Sequence, residues 1–202
     1  MNQRESSEKK LIVNLGCGKT RIPYSLGVDF SSIDGFVDIV HNLNSCPYPF
    51  GDDTVDEIHM YHVLEHLDNP LLKLEDIHRI LKTGGLLYLR VPHFSSNGAF
   101  TDITHKRPFS YFSMDPLIEG AYHGWYTKKR FKLIKREIKY LGQYPNDGVY
   151  EKYIHPNKCP FMLRPVVRAL NWMMNLNPYF FERFWCYWVG GACEVNFILK
   201  KI

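Results

Sequence analysis

An α/β fold, a mostly parallel sheet covered by helices, is what this 202-residue sequence predicts, and three patterns point to it. Four short strand-length runs fall within the first 60 residues. A helical periodicity over Pro70–Lys82 then leads through Gly84 and Gly85 into another buried apolar run. Beyond that run lies a long polar loop, His93–Ser113, in the place where open α/β sheets carry their chemistry.

The elements follow in order. Leu11–Leu15 is apolar throughout and stops at Gly16, as a strand buried on both faces would. Leu26–Phe30, Val37–His41 and Val55–Met60 are the next three expected strands. Leu71, Leu72, Leu74, Ile77, Ile80 and Leu81 recur at helical spacing, with the two glycines as a stop signal. Leu86–Val91 is the fifth strand, broken by Pro92. Phe131–Lys139 and Glu194–Lys200 have strand character, and the insertion between them holds an amphipathic helix near Leu163–Leu176 and an aromatic segment, Pro178–Val189. Only residues 16–26 join the first two strands, with Pro23 among them, so the first crossover helix is expected to be one turn or missing.

Composition narrows the function. A chain that is 45% hydrophobic and 15% aromatic fills one domain core, and the polar stretch Met1–Lys10 reads as a disordered tail. A net charge of +4 falls short of a nucleic-acid binder's basic stripe, and the run of Lys and Arg over 128–139 reads as a solvated strand face. Cys17, Cys46, Cys159, Cys186 and Cys193 form no C-x-x-C pair, which disfavours a zinc site and fits a reducing cytoplasm. Arg164, Arg168, Glu182 and Arg183 interrupt the richest apolar region, so no bilayer-spanning stretch is expected; the aromatic region 161–189 leaves peripheral membrane contact open.

The sharpest local signal is L-I-V-N-L-G-C-G-K at 11–19, where Gly16 and Gly18 let a ligand approach the backbone directly after a strand. A phosphate-wrapping P-loop needs a glycine where Val13 stands, and a dinucleotide fingerprint needs one where Arg21 stands. Both are therefore disfavoured.

In this motif and four others the chain resembles class I S-adenosylmethionine-dependent methyltransferases, especially small relatives of ubiquinone and menaquinone methylases associated with glycan or lipid metabolism. The pieces are N-L-G-C-G-K at 14–19, G-V-D-F at 27–30, P-F-G-D-D-T-V-D-E-I at 49–58, H-V-L-E-H-L at 62–67 and L-K-T-G-G-L-L-Y-L-R-V-P at 81–92. The resemblance implies a Rossmann-like sheet of seven strands, mostly parallel with an antiparallel last strand, and the segment 142–193 as a helical cap within a single domain, 11–202.

It also implies a set of cofactor contacts. Gly16 and Gly18, with Cys17 between them, would floor the methionine part of S-adenosylmethionine, and Asp29 would accept hydrogen bonds from the ribose hydroxyls. Asn42 and Leu43 would border the adenine, and Tyr61 and His62 would lie beside the sulfonium. Glu65 and His66 match a segment that braces the following helix. Asn14 stands where an acidic residue usually holds the cofactor's amino group.

Methyl transfer from a sulfonium relies chiefly on positioning, and a base matters when the acceptor is a hydroxyl. His105, Asp102 and His93 are the catalytic candidates, and no metal is assigned to them. The expected acceptor is a small molecule or a glycan or lipid head group, lying under the His93–Ser113 loop and the cap. A non-catalytic S-adenosylmethionine-binding module and a nucleic-acid or protein N-methyltransferase are the alternatives. The second is weakened because Tyr61, His62, Val63 and Leu64 replace the N/D-P-P-Y/F segment common in amino-methylating relatives.

Overall fold

A computed structural model describes residues 10–122, 124–139, 162 and 164–202. The tail up to residue 9 and most of the first half of the expected cap, residues 142–161 and 163, lie outside the described residues.

Seven strands form one sheet: β1 (Ile12–Leu15), β2 (Ser25–Asp29), β3 (Ile39–Val40), β4 (Val55–Tyr61), β5 (Leu81–Pro92), β6 (Phe131–Lys139) and β7 (Glu194–Lys201). Their order is β3-β2-β1-β4-β5-β7-β6. The pairings from β3 through β5 are all parallel, and β7 runs antiparallel between β5 and β6. From β1 the chain steps outward to β2 and β3, then returns to place β4 on the other side of β1. That reversal opens a crevice at the carboxyl ends of the strands. Val13, Leu15, Val28, Ile58, Met60, Leu87 and Val91 are fully buried, as expected of strands covered on their faces.

No helix joins β1 to β2; residues 16–24 are turns and irregular backbone. Helix α1 (Pro70–Ile80) starts where Asn69 caps it, its side chain accepting from the Leu72 N–H at 3.3 Å, and Pro70 enters the first turn. It ends at Ile80, two residues before the expected Lys82, because Leu81 is drawn into β5 and pairs with Val55. Gly84 and Gly85 therefore lie within the strand, which slips register against β4 between Val55 and Glu57. On its buried side α1 carries Leu74, Ile77 and Ile80, together with groups that hold the 42–53 loop. Lys73 Nζ donates to the Asn44 carbonyl at 2.8 Å, and Asp76 accepts from the Tyr48 N–H at 2.6 Å.

Past β5 come two short turns, α2 (Gly98–Thr101) and a 3-10 turn, Asp115–Leu117. Helix α3 (Arg164–Leu176) docks on the edge of β6. Asn175 accepts from the Ile138 N–H and donates to its carbonyl, both at 2.8 Å, so its amide completes the edge as a neighbouring strand would. A helical stretch over 178–188, containing a π turn at Phe181–Trp185, then leads toward β7.

Candidate functional site

The crevice at the strand reversal is a cleft of about 630 Å³, lined by Gly16 after β1, Asp29 and Phe30 at β2, Asn42–Asn44 after β3, and His62, Val63, His66 and Leu67 after β4, with Thr104 from the long loop. Its size and placement suit a small-molecule ligand.

The glycine loop is built for close approach. Gly16 has φ +69°, and a Cβ there would meet Val63 Cγ2 at 2.2 Å. Gly18 (φ +49°) donates its N–H to Asp29 Oδ2 at 2.8 Å, while Asp29 Oδ1 accepts from the Phe30 N–H at 2.8 Å. Asp29 thus fixes the loop, and each of its oxygens keeps one lone pair for a further donor. Asn14, almost fully buried, donates to the Thr20 carbonyl at 3.1 Å and braces the same loop from behind. Cys17 points away toward the Phe36 carbonyl; burial, followed by the negative charge of Asp29, pushes its thiol up to about 11.

The structure brings Gly16, Asp29, Asn42, Leu43 and His62 together in the cleft. Asn14, Cys17 and Gly18 build the loop around it. Tyr61 is not brought there: the two-residue alternation of β4 puts it with Glu57 and His59 on the opposite sheet face. It lines a second cavity of about 320 Å³ on that face. His62 is the next residue, and its positive φ of 55° marks the turn out of the strand at the cleft edge.

His62 is half-exposed, with Nε2 3.1 Å from Glu194 and Nδ1 3.5 Å from Glu65. Burial pulls its pKa down, but the two carboxylates outweigh that and raise it to about 9. The same contact holds the Glu194 carboxyl below its ordinary range against the opposing effect of burial. Glu194 was not anticipated: it opens β7 opposite Pro92, and only the antiparallel register brings it to the end of β4.

Of the three catalytic candidates, His93 is set apart from Asp102 and His105. His93 is fully buried, with Nδ1 2.6 Å from Ser95 Oγ and Nε2 2.9 Å from Glu182. Both ring nitrogens are engaged, Nδ1 within its own loop and Nε2 in joining the end of β5 to the 178–188 stretch, and the ring does not line the cleft. Asp102 accepts from the N–H and hydroxyl of Thr104, which hold its carboxyl low, and it stands 4.0 Å from His105 Nε2. Thr104 in turn contacts His66 Nδ1 at 2.8 Å, and these two line the cleft. Phe30, Asn44, Val63, Leu67 and Thr104 were also missed. Phe30, Asn44, Val63 and Thr104 each adjoin a predicted residue, Asp29, Leu43, His62 and His105 respectively.

Three of the cations in the run of Lys and Arg at β6 are paired with carboxylates. Arg136 donates to Asp115 at 2.6 Å, and Lys135 and Lys139 flank Glu137 at 2.9 and 2.8 Å.

Residues 12–117 match the family model described as a methyltransferase domain. A search of curated proteins finds no match. Among solved structures, a SAM-dependent methyltransferase from Archaeoglobus fulgidus aligns with a TM-score of 0.56 and 18% identity over 95% of this chain and 86% of the other. A Thermotoga maritima SAM-dependent methyltransferase gives 0.52 and 17% over 96% and 83%. The Haloferax volcanii Trm112 methyltransferase activator in complex with a protein described as a methyltransferase gives 0.52 and 17% over 96% and 82%. At these identities the structural likeness is one of fold.

Proposed function

The chain belongs to the methyltransferase domain family, and from that premise we propose that its cleft binds S-adenosylmethionine and delivers the methyl group to a small molecule or to a glycan or lipid head group. The observation that carries this reading is the cleft itself. At the strand reversal, a glycine with no room for a Cβ faces the end of β2, where a buried carboxylate retains free acceptor capacity.

The residues present fit the cofactor. Gly16 gives close access to the backbone, Asp29 offers acceptors to a vicinal diol, and Asn42–Asn44 with Leu43 and Leu67 form a half-apolar wall suited to a planar base. When bound, the cofactor supplies a methyl group on a positively charged sulfur, whose departure as a neutral thioether needs no acid. The protein's share of catalysis is then orientation and exclusion of water. On the acceptor side, Thr104 and His66 link the cleft to Asp102 and His105, the part of the expected catalytic set that lies beside it.

A head-group acceptor is supported by the outer face of the cap. Trp172, Tyr179, Phe180, Phe184, Tyr187 and Trp188 are all exposed, in the company of Arg183. Tyr and Trp beside Arg, on helices, suit the boundary between water and lipid. The 178–188 stretch is tied through Glu182 and His93 to the loop that provides Thr104.

Calorimetric titration of S-adenosylmethionine and S-adenosylhomocysteine into the purified chain tests the cofactor, with NADH as control. Micromolar binding is expected, weakened at least tenfold, about 1.4 kcal/mol, by Asp29→Ala. Folded protein that binds neither ligand would overturn the reading.

A further inference from the structure

Behind the cleft wall, Glu65 and His66 of the 3-10 turn Leu64–His66 meet His105 of the long loop. One donor atom from each lies within 4.8 Å of the other two. Glu65 is completely buried, and neither of its carboxylate oxygens has a hydrogen-bond partner among the described residues. The nearest ring nitrogens are His62 Nδ1 at 3.5 Å and His105 Nε2 at 3.9 Å. Oε1 therefore has only these two imidazoles at ion-pair distance, and Oε2 has no partner among the described residues; a buried carboxylate so short of hydrogen bonds has capacity for a further ligand.

The surroundings orient the two imidazoles. His105 Nδ1 lies 3.1 Å from the Ala99 carbonyl, which can only accept, so Nδ1 carries a hydrogen and, in the neutral ring, Nε2 presents its lone pair on the side of Glu65. His66 Nδ1 contacts Thr104 Oγ1 at 2.8 Å, and that hydroxyl reaches Asp102 at 2.6 Å, a carboxylate–hydroxyl–imidazole chain of the sort that supports metal-binding histidines. The His66 and His105 rings stand 4.6 Å apart between centroids.

We propose that Glu65, His66 and His105 bind one divalent first-row transition metal ion. Two imidazoles and one carboxylate suit Mn²⁺ through Zn²⁺ better than Ca²⁺ or Mg²⁺, which favour oxygen ligands. Three protein ligands leave coordination positions open. His66 also lines the cleft, so the ion borders the space where the acceptor is placed and can take an acceptor oxygen as a further ligand. That last step rests on the methyltransferase reading; the cation site does not.

The test uses the full chain without an affinity tag, stripped with chelator and titrated with Co²⁺. The expected result is one equivalent bound with visible d–d absorption, displaced by Zn²⁺, and a melting temperature raised by Zn²⁺. Glu65→Gln and His105→Ala should each weaken Co²⁺ binding at least tenfold, with His41→Ala as an unaffected control. Should either variant fail to fold, the wild-type titration still decides. No stoichiometric binding at millimolar Co²⁺, or binding that both folded variants retain, overturns the site and leaves Glu65 as a counter-ion to His62. S-adenosylmethionine is titrated into the same samples. Cobalt bound without cofactor preserves the metal site and removes the functional reading, and the reverse result removes only the metal site.

Discussion

At Gly16 two independent constraints meet. Its φ of +69° is costly for any residue with a Cβ, and the space a Cβ would need already holds the Val63 side chain. Gly16→Ala should therefore cost on the order of 1–3 kcal/mol of stability from backbone strain alone, measured by urea denaturation. It should also weaken S-adenosylmethionine binding, because relief of the clash shifts Val63 in the cleft wall; unchanged stability and affinity would contradict this picture. The positions of Gly16 and Asp29 were legible in the sequence because each is local, a turn after one strand and a carboxylate at the end of the next. The role of His93 was not legible, since its partner Glu182 is 89 residues away. Nor was the placement of Tyr61, because a strand ending one residue earlier would have sent it elsewhere.

Strands β4, β6 and β7 were read most closely. The expected β6 coincides with Phe131–Lys139, and β4 and β7 each extend one residue past the expected end. The end of α1 was misplaced because Leu81 satisfies helical and strand periodicity alike, and the sheet claims it through Val55. The start of α1 rests on Asn69, whose φ of 42° suits asparagine better than alanine. Asn69→Ala is expected to lower stability by about 1 kcal/mol, and Asn69→Gly by less, in chemical denaturation. The strands carry their own acid sensitivity at Asp56, which accepts from the Leu11 N–H and from Lys82. Burial alone would raise its pKa, but those two partners prevail and the folded value is depressed. Its stabilisation is present above the unfolded carboxylate value and is lost as pH falls through the folded one. Stability should thus decline from about pH 5 toward pH 3, less steeply in Asp56→Asn than in the parent.

For the molecule as a whole, the mostly parallel sheet follows from the strand pattern together with the family resemblance, whereas the strand order and the way the cap is joined emerge only from the assembled fold. Glu182, Ser95 and Asn175 fasten it to β5 and β6 and leave a run of aromatic side chains facing outward. No helix among the described residues is long and apolar enough to cross a membrane; in the proposed head-group reading, it is this face lying flat that would meet lipid. Phe181 is buried and anchors the stretch, while Phe184, Tyr187 and Trp188 on the same stretch are exposed and contribute little to the core. Replacing Trp188 with alanine should therefore leave the melting temperature nearly unchanged. If the face docks on lipid, the same change should reduce co-sedimentation with anionic phosphatidylglycerol vesicles several-fold, because an indole at the interface is lost without loss of charge. Arg183→Ala should reduce it too, and added salt should weaken the parent but spare the indole contribution. A parent chain that stays in the supernatant with these vesicles at low salt would remove the membrane reading. Soluble small molecules and free glycans would then be the acceptors to screen.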